Sequence, residues 1–205
     1  MKQIIKYLRE LSVVVAGIAI TVSIGILINN RNNAKDLEMY LDAIQLELEQ
    51  NIKDIGLIIE SMQRSVDYAN YLGAHKKNEL NRDTIISYGD AYKTIQSITY
   101  KTNAFEMFKL SGVMRLMDDR ELLLSIWEGY TYLDEVKMLL EWGFQLKFEE
   151  MKKELPQIAA GETDIIPLYN FYAVTPWPTE MPRICRDASD TLKEILSKLE
   201  KRQRK

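Results

Sequence analysis

Cysteine and histidine are nearly absent from this chain of 205 residues, which has one of each, Cys185 and His75. A single cysteine excludes an intramolecular disulfide, and without a second cysteine or a nearby histidine it cannot form a zinc site or a redox pair. We expect Cys185 to be a small core residue. We expect His75, beside Lys76 and Lys77, to be a solvated loop residue rather than a base or metal ligand.

Motifs of known enzymes are also missing. The sequence contains no His-Glu-x-x-His, Gly-x-Gly-x-x-Gly, phosphate-loop or Gly-x-Ser-x-Gly pattern. Its acid pairs, Asp118-Asp119 and Glu149-Glu150, are typical of helix caps or solvated helix faces. We therefore predict a protein that is not an enzyme and has no cofactor or metal, since a hydrolase has no positive feature in its favour.

The middle of the chain has a deficit of positive charge. Residues 37–182 carry 14 basic against 24 acidic side chains, whereas residues 1–36 carry five against two and residues 183–205 eight against four. Nucleic-acid binding needs a cationic surface for the phosphates. The sequence therefore predicts no nucleic-acid partner.

Strand-like alternation of useful length is absent too, and all five prolines lie within residues 156–182. Apolar residues instead recur at steps of three or four, which is the spacing of an amphipathic helix. We predict an all-α fold, in which an N-terminal transmembrane helix continues into an elongated, mostly antiparallel bundle of about four helices.

The longest apolar run, residues 11–28, has eighteen positions without a charge. As a helix it extends about 27 Å, close to the ~30 Å of bilayer hydrocarbon. We predict a basic tail over 1–10, a transmembrane helix over 11–28 and a bundle domain over 29–205. A removed signal peptide is the alternative, but the run is longer than a usual signal and no small-x-small cleavage site follows.

The orientation of this helix follows from the charges beside it. Lys2, Lys6, Arg9 and the amino terminus precede the run, and Arg31 and Lys35 follow it. By the positive-inside rule the N-terminus is cytoplasmic, so we expect a single-pass inner-membrane protein with a periplasmic bundle.

Three small residues, Gly17, Thr21 and Gly25, recur every four positions and share one face of the predicted membrane helix. Such a face would let a second helix approach closely, which makes it a candidate association face for a homo-oligomer. The alternative is that these residues recur by chance in a span that only anchors the chain.

Three later segments carry apolar stripes. The first helix should run to about Gly73 with these residues inward: Leu37, Leu41, Ile44, Leu48, Ile52, Ile55, Ile59, Met62, Val66 and Ala69. A second should end at Pro156 with these inward: Leu122, Ile126, Tyr130, Leu133, Val136, Leu140, Phe144, Phe148, Met151 and Leu155. A last helix should start near Arg183 with these inward: Ile184, Ala188, Leu192, Ile195 and Leu199.

Shorter helices are predicted from their end signals. A helical stretch starts near Asp83, and another is expected between Asn103 and Gly112. Asn103 with Glu106, like Asp118 with Glu121, has the form of a helix cap with a carboxylate reaching back.

Residues 156–182 are predicted to form a proline-rich and aromatic loop that packs over the bundle. Within it Trp177 stands between Pro176 and Pro178, where it is either a core residue or an exposed tip that contacts a partner. The aromatics elsewhere are better explained as core than as a ligand pocket, and they are Tyr100, Phe105, Phe108, Trp127, Tyr130, Trp142, Phe144 and Phe148.

Two stretches of the sequence form a recognisable pattern. They are Ile24-Gly25-Ile26-Leu27-Ile28-Asn29-Asn30, and Asn103-Ala104-Phe105-Glu106 with the following Leu110-Ser111-Gly112 and Asp119-Arg120-Glu121-Leu122. Together they resemble a family of uncharacterised, single-pass membrane proteins common in Bacteroidota. In that family an apolar span runs into an Asn-Asn-Trp-Asn-like junction, where this chain has Arg31 in place of Trp. The resemblance covers residues 11 to about 130. It implies a bacterial envelope protein and supplies no catalytic residue.

We therefore predict a membrane-anchored, non-enzymatic interaction or sensory/scaffold module of the bacterial envelope. Its expected partners are the lipid bilayer, a second copy of the chain and another envelope protein. The alternative is a homo-oligomeric membrane pore or effector assembled through residues 11–28.

Overall fold

The computed structural model describes the backbone of residues 2–93, 100–160 and 165–203, and the side chains of residues 23, 31–91, 100–160 and 165–202. Over these ranges all regular structure is helical, which confirms the predicted fold class. The α-helices are α1 (Lys2–Ala74), α2 (Arg82–Ser87), α3 (Gly89–Lys93), α4 (Asn103–Leu110), α5 (Arg120–Ala159) and α6 (Trp177–Gln203). Short 3₁₀ turns lie at Lys77–Glu79 and Val113–Leu116, and a π-helical turn lies at Asn170–Val174.

Three long helices, α1, α5 and α6, form the body of the molecule, where about four helices were predicted. The helical stretch predicted from near Asp83 is divided into α2 and α3, because the backbone leaves the helical region at Tyr88 (ψ 16°). A turn or two of helix buries little surface, so α2, α3 and α4 depend on the long helices that they contact.

The α1 helix begins at Lys2 and ends at Ala74, one residue from the predicted stop. Of its predicted inward residues seven are buried and three half-buried. Among the side chains that the structure describes, no helix has a stretch both long and apolar enough to cross a bilayer. Of the predicted span, residues 11–28, the structure describes the side chain of Ser23 alone. Gly17, Thr21 and Gly25 therefore lie outside the residues whose side chains are described.

The core lies along α6, which packs against both α1 and α5, while α4 and the Val113–Leu116 turn also pack on α1. Its buried apolar residues include Leu41, Ile44, Leu48 and Met62 of α1, Phe105 and Phe108 of α4, Ile126, Tyr130, Leu133 and Val136 of α5, and Cys185, Ala188, Leu192 and Ile195 of α6. A smaller core at the far end of α1 consists of Tyr68, Ala69, Leu72, Ile85, Ala91, Leu168, Phe171 and Tyr172.

Two helix boundaries differ from those predicted. The α5 helix passes through Pro156 and ends at Ala159, because in a last turn proline removes one hydrogen bond without breaking a long ladder. The α6 helix begins at Trp177, well before Arg183. Pro178 falls in its first turn, where N–H groups have no partner within a helix, so that proline is tolerated there. Both ends of the predicted loop, residues 156–182, are therefore helical, and the described residues 165–176 lie between α5 and α6.

Candidate interaction surface

Four large apolar side chains on the outer side of α5 are exposed to solvent. Leu124, Trp127, Met138 and Trp142 retain 62%, 47%, 61% and 55% of their accessible surface. At 100° per residue they fall within about 60° of one another around the helix axis, and they extend about 27 Å along it. These four residues form two apolar pairs on one face of α5, Leu124 with Trp127 and Met138 with Trp142, about 16 Å apart along the axis, and we call this face the α5 stripe.

The α5 stripe is additional to the face that α5 buries. The buried face consists of Leu122, Ile126, Gly129, Tyr130, Leu133, Val136, Leu140 and Gly143. On that side α6 comes so close that a Cβ at Gly143 would overlap the Trp177 indole, and one at Gly129 would overlap Cδ1 of Ile195. A helix whose inner face is already packed needs no second apolar face for folding, so the α5 stripe calls for another explanation.

One end of the α5 stripe is held in place by α4. The Phe105 ring stacks on Tyr130 with centroids 4.2 Å apart and meets Trp127 edge-on at 5.7 Å. The Nζ of Lys109 lies 5.7 Å from the Trp127 ring centroid while it pairs with Glu106 at 2.6 Å. Trp127 is therefore a fixed aromatic surface, which is a common form of interface anchor.

Acidic side chains border the α5 stripe. Glu128, Asp134 and Glu135 are exposed, and among the described residues none of them has an ion-pair partner within 4 Å. Glu141, also nearby, pairs weakly with Lys137 at 4.0 Å. Apolar anchor side chains with polar and charged side chains beside them are common in protein interfaces.

A buried carboxylate on α1 positions α4 beneath this surface. Glu47, which is 7% exposed, accepts hydrogen bonds from the backbone N–H groups of Ala104 (2.8 Å) and Phe105 (3.3 Å) and from the Tyr130 hydroxyl (2.6 Å). One turn later, the buried Asn51 side chain bonds both the N–H and the C=O of Lys101, at 2.9 and 2.8 Å. Both buried polar groups therefore have partners.

The residue predicted to cap α4 is wrong. Asn103 is the first helical residue, and Glu106 pairs with Lys109 instead of reaching back. Glu47 supplies the carboxylate from α1, where it meets the free N–H groups and the positive end of the helix dipole. The start of α4 is therefore fixed by a side chain of α1.

The second core holds a buried amine. Lys147 donates from Nζ to the Ala91 carbonyl at 3.0 Å, and its burial lowers the pKa of that amine to about 8. The Tyr172 hydroxyl donates to the same carbonyl and lies 3.4 Å from the Ser65 hydroxyl. Two donors on one carbonyl fix α3 against α5, so the described contacts of Lys147 are structural.

Carboxylates of α5 hold the loop that precedes α6. Glu150, 9% exposed, accepts from the Asn170 amide, and Glu154 accepts from the Leu168 N–H at 2.7 Å. Burial raises the pKa of Glu154, although that N–H opposes the rise. Leu168 itself has a φ of 55°, a left-handed conformation that is strained for leucine and that these contacts maintain.

Trp177, the predicted partner contact, is the first residue of α6. Its indole is half-buried over Gly143, donates from Nε1 to the Leu139 carbonyl at 3.0 Å, and lies 5.5 Å from the Phe171 ring. The side chain joins α6 to α5. Its role in contacting a partner stays a prediction.

The contacts of the other residues named in the sequence analysis are explained by the fold. Cys185 is fully buried, as predicted, and burial raises the pKa of its thiol to about 11. His75 is exposed just after α1, as predicted, with Nδ1 2.9 Å from the Tyr71 carbonyl. Asp119 rather than Asp118 caps α5, since it accepts from the Leu122 N–H at 2.9 Å. Within the described ranges no three acid, histidine or cysteine side chains could share a metal ion.

The α5 stripe was not predicted from the sequence. Trp127 and Trp142 were predicted to lie in the core with the other aromatics, which is wrong, because about half of each is exposed. The signal was present in the helical phase. Leu124, Trp127, Met138 and Trp142 all lie off the inward stripe that was predicted correctly through Tyr130, and large apolar residues off that stripe must face solvent or a partner.

Comparison of the chain with protein-family models, curated proteins and solved structures finds no match. The resemblance to the Bacteroidota family stays a prediction. So does the pore, because it depends on Gly17, Thr21 and Gly25, whose side chains lie outside the described residues.

Proposed function

We propose that this chain is a membrane-anchored, non-enzymatic interaction module of the bacterial envelope that binds a partner protein through the α5 stripe. The observation that carries the proposal is the exposure of two tryptophans, a methionine and a leucine along 27 Å of one helix face, about 1.5 Å per residue over 18 residues. Tryptophan and methionine are enriched at interfaces, and tryptophan dominates hot spots.

The anchoring half of the proposal rests on the sequence of residues 11–28, which has no charge in eighteen positions. Such a segment is long enough to cross a bilayer as a helix. The flanking lysines and arginines favour a cytoplasmic N-terminus and a periplasmic bundle in the inner membrane. The α1 backbone is helical from Lys2 to Ala74, so an anchor and the bundle would share one continuous helix.

Photo-cross-linking in living cells tests this function. A photoreactive phenylalanine derivative replaces Met138 in the α5 stripe or, as a matched control, Leu57 on the outer side of α1, which is 56% exposed. We expect a discrete cross-linked protein in the membrane fraction from position 138 and none from position 57. A chain recovered in the soluble fraction would contradict the anchor, and equal adducts from both positions would contradict the interaction surface.

A further inference from the structure

We infer that the partner segment bound by the α5 stripe is a cationic amphipathic α-helix of another protein. The inference rests on the proposed function and adds the chemistry of the partner. It is carried by three features of the surface, namely its shape, the sign of its rim and the effect of that rim on a second copy of this chain.

The shape of the α5 stripe fits a helix. Its apolar side chains lie at positions 124, 127, 138 and 142, with only Thr131 and acidic residues between them near the centre. The resulting surface is about 27 Å long and one helix face wide, which matches a partner helix of about 18 residues. Such a helix would cross α5 by inserting its own apolar ridge between these side chains.

The acidic side chains beside the α5 stripe favour a positively charged partner. Asp134 and Glu135 lie about 50° to either side of the centre of the α5 stripe, and Glu128 lies near its Trp127 end. None of these three has an ion-pair partner among the described residues. Of the cations beside this surface, Lys109 pairs with Glu106 at 2.6 Å and Lys137 lies 4.0 Å from Glu141, so neither forms an ion pair with these three carboxylates. Lysines or arginines beside the apolar face of a partner would meet all three carboxylates.

The same rim opposes self-association through this face. The midpoint between Leu124 and Trp142 is residue 133, next to Asp134 and Glu135. Two copies packed stripe to stripe, parallel or antiparallel, would therefore bring four carboxylates together at the centre of the contact. Opposed like charges weaken an interface and select against that pairing.

Disulfide trapping with synthetic helices tests the inference. The full-length protein, in an uncharged maltoside detergent, carries Met138→Cys or, as control, Leu57→Cys, positions that are 61% and 56% exposed. The probes are two helical peptides of about 18 residues. Each has a leucine face with one central cysteine, bordered by lysines in one peptide and by glutamates in the other. Equilibrium with glutathione gives the trapped fraction, and Cys185 does not compete because it is fully buried.

We expect the lysine peptide to be trapped about tenfold more at position 138 than at position 57, and the glutamate peptide to show no such preference. Adding Asp134→Lys and Glu135→Lys to Met138→Cys should reverse the choice of peptide. Adding Glu49→Lys and Glu60→Lys instead, which changes the net charge equally on exposed positions of α1, should leave it unchanged.

Each of the other outcomes would contradict a different part of the inference. If both peptides prefer position 138 equally, the surface binds helices without selecting charge, so the cationic partner is wrong while the proposed function stands. If neither peptide prefers position 138, the docking surface itself fails. If Met138→Cys protein instead forms a disulfide with a second copy, the occupant is this chain.

Discussion

At the scale of single residues, buried polar groups on α1 decide where the short helices lie. Glu47 receives three donors, from Ala104, Phe105 and Tyr130, and it has no solvent to replace any that is lost. A satisfied buried carboxylate fixes one arrangement because every alternative leaves it without partners. The position of α4, and with it the Trp127 end of the α5 stripe, therefore depends on Glu47.

Glu47→Gln should destabilise the fold by about 1.5–3 kcal/mol, because an amide nitrogen cannot accept and leaves a donor unpaired. Chemical unfolding followed by circular dichroism measures the change. The control is Glu49→Gln at the exposed neighbour, whose described bond is to the Gln45 side chain, and it should change stability by less than ~0.5 kcal/mol. Equal effects of the two substitutions would show that the buried carboxylate is not a constraint.

The buried amine of Lys147 predicts a pH dependence. Burial lowers its pKa to about 8 in the folded protein. A lysine in the unfolded chain titrates near its ordinary value of about 10.4. Between these values the unfolded state binds more protons, so stability should rise with pH from 8 upward.

Cys185, with its pKa raised to about 11 by burial, opposes this rise from about pH 8.5, where an unfolded thiol titrates. Comparison with a Lys147→Met variant, which keeps Cys185, cancels that contribution. From pH 7 to 9 the wild-type protein should gain about 1 kcal/mol relative to Lys147→Met. Unfolding free energies measured at both pH values test this. A difference between the two proteins that is independent of pH would contradict it.

At the scale of elements, the contact between α5 and α6 depends on glycine. Gly143 lies directly beneath the Trp177 indole, which bonds the Leu139 carbonyl and so cannot easily move aside. Without a side chain at 143, α6 can start against α5. This contact also holds α5 with its apolar stripe directed outward.

Gly143→Ala should therefore destabilise the fold by about 1–3 kcal/mol through overpacking against the Trp177 ring. Gly56→Ala is the matched helical control, because nothing lies within 4 Å of its added Cβ. That substitution should stabilise the protein by about 0.5–1 kcal/mol through helix propensity. Thermal or chemical unfolding of both variants gives the sign, and a neutral Gly143→Ala would mean that the indole can shift.

At the scale of the whole molecule, the protein is a helical body with an inner core and a separate apolar surface on its outer side. The inner core joins α1, α5 and α6, whereas the α5 stripe lies on the outer side of α5, where Trp127 meets the core residue Phe105 edge-on. The face of α5 that packs in the core and the face proposed to bind a partner are therefore different. Substitutions at exposed positions such as Met138 should leave folding nearly unchanged, so binding can be measured separately.

Helical period was enough to predict the long helices and most of their inward residues, because burial of one face is a local property of the sequence. The prediction was wrong at Leu155, in the last turns of α5, which is 53% exposed. It was not enough for contacts between distant segments. Glu47 caps a helix that begins 56 residues later, and nothing near Asn103 indicates that a carboxylate arrives from α1. Trp142 was predicted to lie in the core because it is aromatic, although its position in the helical period places it on the outer side of α5. The membrane anchor stays a prediction from the sequence, because the side chains of residues 11–28, apart from Ser23, lie outside the described ranges.

Hydroxyl-radical footprinting of the protein in its native membranes tests the central claim that the α5 stripe is an occupied docking surface. Met138 and Met39 are chemically identical probes on α5 and α1, 61% and 57% exposed. Purified protein should be oxidised equally at both, since neither is covered. In native membranes Met138 should be protected severalfold while Met39 stays reactive. Equal reactivity of Met138 in membranes and after purification would contradict the claim.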